Sequence, residues 1–222
     1  MSGSPAEWLA ALRQRFLDAL RASDRRGARR ILREARDRKI DGSTLMREVV
    51  APAVEEIGRD WREEDLSLSR VYAVGLIVED CLQFLEPSVR SSDKPQGKVV
   101  IGTARGDYHG LGKRIVAAFL RAAGFTVVDL GMSVAPESLV ERAMAEGARI
   151  IAVSALMLDA ALGIAAVRSE MERLGATSIK LLVGGAPFRY NPDLWKTVGA
   201  DATAPNAYEA IVTARWLLER QE

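Results

Sequence analysis

Four short apolar runs in the second half of the chain constrain its fold more than any other feature. They are Val99-Val100-Ile101-Gly102, Thr126-Val127-Val128-Asp129-Leu130, Ile150-Ile151-Ala152-Val153 and Ile179-Lys180-Leu181-Leu182-Val183. Each reads as a strand. Helical stretches lie between and after them: one from the loop past His109 through Leu120, then Pro136 to Glu146, Ala160 to Leu174, a short one around Pro192 to Val198, and Tyr208 to Glu219. Ala202-Thr203 adds a brief strand. Short strands alternating with helices predict a parallel sheet covered on both faces, a Rossmann-like (flavodoxin-like) α/β domain.

In such a domain ligands gather where strands end in loops. The first strand ends in Gly106-Asp107-Tyr108-His109-Gly110-Leu111-Gly112-Lys113. A phosphate-binding loop needs four residues between Gly and Gly-Lys and then a hydroxyl; here five residues intervene and Arg114 follows. A dinucleotide loop needs Gly-x-Gly-x-x-Gly, and Gly110-Leu111-Gly112 runs on to Ile115. What remains is Asp107-x-His109-x-x-Gly112. In an extended loop residues two apart lean the same way, so Asp107 can accept the N–H of the inner nitrogen of His109. That contact would fix the tautomer and raise the basicity of the outer nitrogen, as carboxylates do behind metal-bound imidazoles. His109 is the single histidine of the chain, and neutral imidazole suits a transition metal near pH 7. The triplet alone fits a surface histidine with a local Asp bond equally well. Gly112 lets the backbone approach a bulky ligand.

Two further strand ends add to it. The third run closes in Ser154-Ala155-Leu156 and the fourth in Gly184-Gly185-Ala186-Pro187. The set Asp-x-His-x-x-Gly, Ser-x-Leu and Gly-Gly, in that order at strand ends, resembles the cobalamin-binding domain of corrinoid methyltransferases and B12-dependent mutases. The resemblance implies that His109 replaces the nucleotide base as lower axial ligand of cobalt. It also implies that the displaced tail lies in a channel lined by Ser154 and Gly184-Gly185. The cofactor-binding set is then Asp107, Tyr108, His109, Gly110, Leu111, Gly112, Ser154, Leu156, Gly184 and Gly185. In detail the chain is similar to the methyl carriers of this superfamily, through Gly106 to Val116, Val127 to Gly131, Val183 to Pro187, and Gly199-Ala200-Asp201 to Pro205-Asn206-Ala207. Such carriers shuttle a methyl group between partner methyltransferases, one often with a uroporphyrinogen-decarboxylase-like barrel, and are not catalytic alone. There is one departure. The family places hydroxyl residues after Ser-x-Leu, where they extend the Asp–His contact toward a proton relay; here Met157-Leu158-Asp159-Ala160 follow.

The first half reads as helix throughout. Trp8, Leu9, Leu12, Phe16, Leu17 and Leu20 are helically spaced, as are Ala28, Ile31, Leu32 and Ala35 behind a Ser23-Asp24 cap. A third helix follows the Asp41-Gly42-Ser43 cap, with a kink or restart expected at Pro52, and a fourth runs from Ser67 to Phe84. Short connections between them predict an antiparallel four-helix bundle. The polar, proline-bearing stretch after it divides the chain into a bundle at 1–88, a linker at 89–97 and the sheet domain at 98–222. By the resemblance the bundle caps the cobalamin, with Trp61 to Phe84 over its upper face and swinging aside for each partner; core packing of Trp61 and Tyr72 is as good a reading.

Composition closes off other classes. Net charge is +1, so the whole molecule has no electrostatic case for nucleic acid or an anionic membrane. Residues 1–40 hold eleven Arg/Lys against five Asp/Glu and residues 41–95 six against twelve. Solvated helix faces explain that asymmetry better than a docking surface, since no aromatics interleave the arginines. One cysteine, Cys81, excludes an internal disulfide and fits a cytoplasmic protein. Met1–Ser4 reads as a disordered leader, without a signal pattern. No run approaches a bilayer span, and a homodimer stays open. A B12-dependent sensor is the alternative, but Val71-Tyr72 stands where light-sensing relatives carry Glu-His. A radical mutase would need a substrate barrel from another chain.

Overall fold

The computed structural model describes residues 5–63, 67–85 and 96–219. Two compact units divide the chain, one holding Met1–Lys94 with Arg121–Gly124 and the other Pro95–Leu120 and Phe125–Glu222. The leader expected at Met1–Ser4 and most of the expected linker lie outside the described residues, as does Glu64-Asp65.

The first unit is helical: α1 (Pro5–Arg21), α2 (Arg25–Asp37), α3 (Gly42–Leu45), α4 (Ala51–Glu63) and α5 (Leu68–Leu85). The helical spacing of Leu12, Phe16, Leu17 and Leu20 buries all four, and that of Ala28, Ile31, Leu32 and Ala35 does the same for α2. α1 packs on α2 and α4, and α2 on α5. Asp24 and Asp41 cap their helices, accepting from Gly27 N at 2.8 Å and Thr44 N at 3.0 Å. Pro52 acts on the turn before it. Met46–Val50 is π-helical and Ala51 N–H reaches back to Met46 O. Proline has no N–H for the carbonyl of Glu48 and its ring would crowd that oxygen; the wider turn leaves room for it.

The uneven charge is resolved by packing. Arg21 pairs with Glu56 and Asp60, and Arg25 and Arg29 both reach Asp80. Arginines of the basic stretch thus meet carboxylates of the acidic one. Beside Asp80, burial and the nearby carboxylate push the Cys81 thiol up to about 12. It is a buried apolar group at neutral pH, not a reactive thiolate.

The second unit is a five-stranded parallel sheet of order β2-β1-β3-β4-β5. The strands are β1 (Lys98–Thr103), β2 (Thr126–Asp129), β3 (Ile150–Ser154), β4 (Lys180–Gly184) and β5 (Ala202–Ala204). Between and after them lie α6 (Leu111–Ala122), α7 (Pro136–Glu146), α8 (Leu158–Gly163), α9 (Ala165–Arg173), α10 (Ala186–Tyr190), α11 (Leu194–Thr197) and α12 (Ala207–Glu219). β1, β3 and β4 are buried almost throughout, because helices cover both faces. β2, at the edge, is only half buried. The single helix expected from Ala160 to Leu174 is two. Ile164 is buried, and short bonds, Ile164 N to Ala161 O and Val167 N to Ile164 O, replace the α-helical spacing around it, next to the weak helix former Gly163. α10 forms where a loop was expected, with Pro187 in its first turn, where the missing N–H costs nothing. Among the described residues no helix is long and apolar enough to cross a membrane.

Phe16 is fully buried in the helical unit, so Phe16→Ala should destabilise it by about 3–5 kcal/mol. Urea denaturation followed by circular dichroism should show an earlier midpoint for this variant; an unchanged midpoint would place Phe16 outside the core.

Candidate functional site

The strand order reverses between β1 and β3, so the loops leaving these neighbouring strands part to opposite sides and open a crevice. Register brings the motif-bearing ends to one level: Thr103 pairs with Ser154, Ser154 with Gly184, and Gly184 with Ala204. Parallel pairing alone therefore collects the three loops on one edge.

After β1 the chain turns through Gly106, whose φ of +80° is open to glycine. Asp107 follows and is fully buried. Its Oδ1 accepts from His109 N at 2.8 Å and lies 2.9 Å from His109 Nδ1. Its Oδ2 accepts from Leu156 N at 2.6 Å and Met157 N at 3.1 Å. With a carboxylate facing Nδ1, that nitrogen carries the hydrogen and Nε2 keeps its lone pair. The His109 side chain is 53% exposed, while the carboxylate that its Nδ1 faces is fully buried. Burial raises the Asp107 pKa; the backbone N–H groups of His109, Leu156 and Met157 and the His109 ring outweigh it. The carboxyl is held below the usual aspartate range.

Lys113, in the first turn of α6, is buried and paired with Asp129 at the end of β2. Asp129 also accepts from Gly131 N at 2.8 Å, which ties α6 to the loop after β2. From that loop Met132 reaches over the histidine loop: a Cβ at Gly110 would come within 2.9 Å of its sulfur. A Cβ at Gly112 would lie 3.9 Å from Ser154 Oγ, so these two residues face each other where α6 begins. Gly184 and Gly185 are required by close approach. A Cβ at Gly184 would sit 2.9 Å from Ala204 O, and one at Gly185, with φ of +118°, 1.9 Å from Ala155 O. The Ser-x-Leu and Gly-Gly loops are in backbone contact, through Ala155 N to Gly184 O at 3.0 Å as well.

Of the residues singled out by sequence, Asp107 and His109 form one unit, Leu156 joins it through its backbone N–H, and Gly112, Ser154, Gly184 and Gly185 line the neighbouring strand ends. Tyr108 and Leu156 expose 70% and 47% of their surface, and Leu111 is half-buried. Asp159 lies exposed in the first turn of α8. From the segment after Ser154 it is the backbone amides of Leu156 and Met157 that reach Asp107 Oδ2. Sequence reasoning passed over those amides, Lys113, Asp129 and Met132. Lys113 and Asp129 lie in the stretches that resemble the methyl carriers, but neither was given a role of its own.

A single oriented imidazole nitrogen, beside loops drawn together by glycines, suits a metal whose other ligands arrive in a macrocycle. Comparison with known proteins agrees. Residues 97–212 match a B12 binding domain family, and residues 12–86 match a second B12 binding domain family. Trimethylamine corrinoid protein 1 of Methanosarcina acetivorans is 32% identical over 205 residues, spanning 90% of this chain and 94% of that protein. The chain belongs to the B12-binding corrinoid proteins. Monomethylamine corrinoid protein 1 of Methanosarcina mazei is 31% identical over 211 residues, covering 90% of this chain and 94% of that one. Among solved structures, the methanol:cobalamin methyltransferase complex of Methanosarcina barkeri has a chain with TM-score 0.77 and 23% identity, over 99% of this chain and 86% of that one. A cobalamin-binding protein from Desulfitobacterium hafniense gives TM-score 0.72 at 20% identity, over 91% and 96%. These two show the shared fold of a helical unit followed by a Rossmann-like domain.

In this corrinoid protein the buried Asp107 is a structural charge as well as a partner of His109. Its folded pKa lies below the unfolded one. Its contribution is therefore present above about pH 4 and lost as pH falls through the folded value. Asp107→Asn should lower the stability of the cofactor-free protein by about 1–3 kcal/mol at pH 7, by turning an amide against N–H donors. The gap to wild type should close in urea titrations below about pH 4; a gap that is constant with pH would contradict the charge argument.

Proposed function

We propose that this chain is a methyl-carrying corrinoid protein. It would bind cobalamin with the nucleotide base displaced and His109 Nε2 as the lower axial ligand of cobalt. The observation that carries this is the Asp107–His109 contact, with Nδ1 2.9 Å from a buried carboxylate and the ring half exposed. When bound, cobalamin supplies the cobalt nucleophile that accepts and releases the methyl group.

The chain's own residues bind and orient. Asp107 holds the imidazole in one tautomer and makes the outer nitrogen a better donor. Leu156 N and Met157 N hold the other oxygen of the Asp107 carboxylate. Gly112, Ser154, Gly184 and Gly185 would receive the displaced tail, with Ser154 Oγ as a hydroxyl beside it. Tyr108, Gly110, Leu111 and Leu156 would meet the corrin from the same edge, and the exposed Leu156 and Tyr108 supply apolar surface for it. The same reading assigns residues 1–88 to a cap and 89–97 to the linker. It also assigns the methyl donor and acceptor steps to partner methyltransferases, one with a uroporphyrinogen-decarboxylase-like barrel, in the cytoplasm.

Purified protein mixed with hydroxocobalamin should bind it one to one, with the absorption spectrum of the displaced base. His109→Ala should lose affinity by at least the 10–100-fold, roughly, that removing a ligand's supporting partner costs, and should shift that spectrum. An unchanged spectrum removes His109 as ligand. Reduced, cobalamin-loaded protein should take up one methyl group when supplied with a methylamine or methanol methyltransferase and its substrate; refusal from all of them would remove the carrier role while leaving the cofactor.

A further inference from the structure

Asp107 is held at both ends. Its side chain is filled by the four donors described above. Its backbone carbonyl is held by groups outside the Asp-x-His-x-x-Gly motif. Thr103, the last residue of β1 and fully buried, donates its hydroxyl to Asp107 O at 2.5 Å. Ser133, in the loop after β2, donates its N–H to Asp107 O at 3.0 Å and to Thr103 Oγ1 at 2.8 Å. Ser133 Oγ in turn accepts from Gly106 N at 3.0 Å.

The backbone shows what this closure costs. Ser133 has φ of +52°, the left-handed region that residues with a Cβ seldom adopt. Such a conformation persists only where its surroundings over-determine it. Here Ser133 N–H and Oγ both bind the histidine loop, and Val134 N binds Thr103 O at 3.1 Å. The strained turn is thus fastened directly to the residues flanking Asp107.

We propose that Thr103 and Ser133 are positioning residues for the axial ligand: the Thr103 hydroxyl and Ser133 N–H clamp Asp107 O, and Ser133 Oγ holds Gly106 N beside it, which together set the place of Asp107 and thereby the aim of the His109 imidazole. Asp107 N–H to Ala104 O, at 2.9 Å, holds the peptide unit before Asp107; the clamp on Asp107 O holds the unit after it, which leads through Tyr108 to His109. Leu156 N and Met157 N restrain only the carboxylate tip. Removing the Thr103 hydroxyl would leave Asp107 O with one donor and Ser133 N with one acceptor fewer, and the imidazole would sample directions away from a bound metal.

This inference rests on His109 ligating cobalt, and the test separates the two. Cobalamin-loaded protein is reduced to cobalt(II), and the nitrogen splitting in its electron paramagnetic resonance spectrum reports the fraction with an axial nitrogen. Wild type, His109→Ala, Thr103→Val, Thr103→Ser, Ser133→Ala and Val100→Ala are compared, the last being a buried sheet residue outside the clamp. Thr103→Val and Ser133→Ala should each shift the balance of ligated to unligated cobalt about tenfold toward unligated, the lower end of what supporting residues contribute. Thr103→Ser should restore the wild-type signal. Val100→Ala should keep it despite lost stability. Absence of His109-dependent splitting in wild type overturns the ligand reading and the clamp with it. Splitting in wild type that survives undiminished in Ser133→Ala and in folded Thr103→Val overturns the clamp alone. If Thr103→Val does not fold, Ser133→Ala decides.

Discussion

Asp107 combines complete burial with a charge, and a buried carboxylate left to itself would cost several kcal/mol and take up a proton instead. It escapes that fate because four donors fill its lone pairs, two from its own loop and two from the loop after β3. Charge-assisted hydrogen bonds are each worth roughly 1.5–3 kcal/mol, so the set can offset the loss of water. The consequence is mechanical as much as electrostatic. A carboxylate that must satisfy donors from two loops fixes the distance between those loops, and His109 inherits that fixed position through its inner nitrogen.

Sheet topology makes such an arrangement available. With β1 and β3 adjacent and their connections leaving to opposite sides, the loops after these strands face one crevice. The level of Thr103, Ser154 and Gly184 across the sheet then brings hydroxyl and glycine positions into one row. Gly185 lets the loop after β4 close to within backbone contact of Ala155, and Gly184 lets β4 lie close against Ala204 O. Lys113 and Asp129 brace the remaining side, where α6 meets the loop after β2. The candidate site is thus a product of parallel register plus a few close approaches that larger side chains would forbid.

Much of this was legible in the residues. Helical spacing identified Leu12, Phe16 and Leu32 as core, and Ala28 and Ala35 with them. The apolar runs located four of the five strands, since buried parallel strands need apolar stretches, and the short fifth was read from Ala202-Thr203. The two-residue spacing of Asp107 and His109 foretold their contact, because it depends on local geometry alone. The amides of Leu156 and Met157 left no trace, since a backbone N–H is the same whatever its side chain. Thr103 and Ser133 were invisible for a related reason: their partnership spans 30 residues and depends on register and on an unusual φ at a residue that is not glycine. The split at Ile164 has only the weak helix former Gly163 beside it and a buried side chain at the break, neither of which singles out the position in the sequence.

The account turns on which nitrogen reaches cobalt. His109 is the single histidine in the chain, so untagged protein grown with histidine labelled in nitrogen-15 carries the label at one imidazole only. Loaded with unlabelled cobalamin and reduced to cobalt(II), it should show each cobalt line split into a doublet by spin-half nitrogen-15 instead of the triplet given by nitrogen-14. A triplet that persists in the labelled protein would mean that the cofactor's own base remains on the metal, and a spectrum without nitrogen splitting that no axial nitrogen is there; either result contradicts the account.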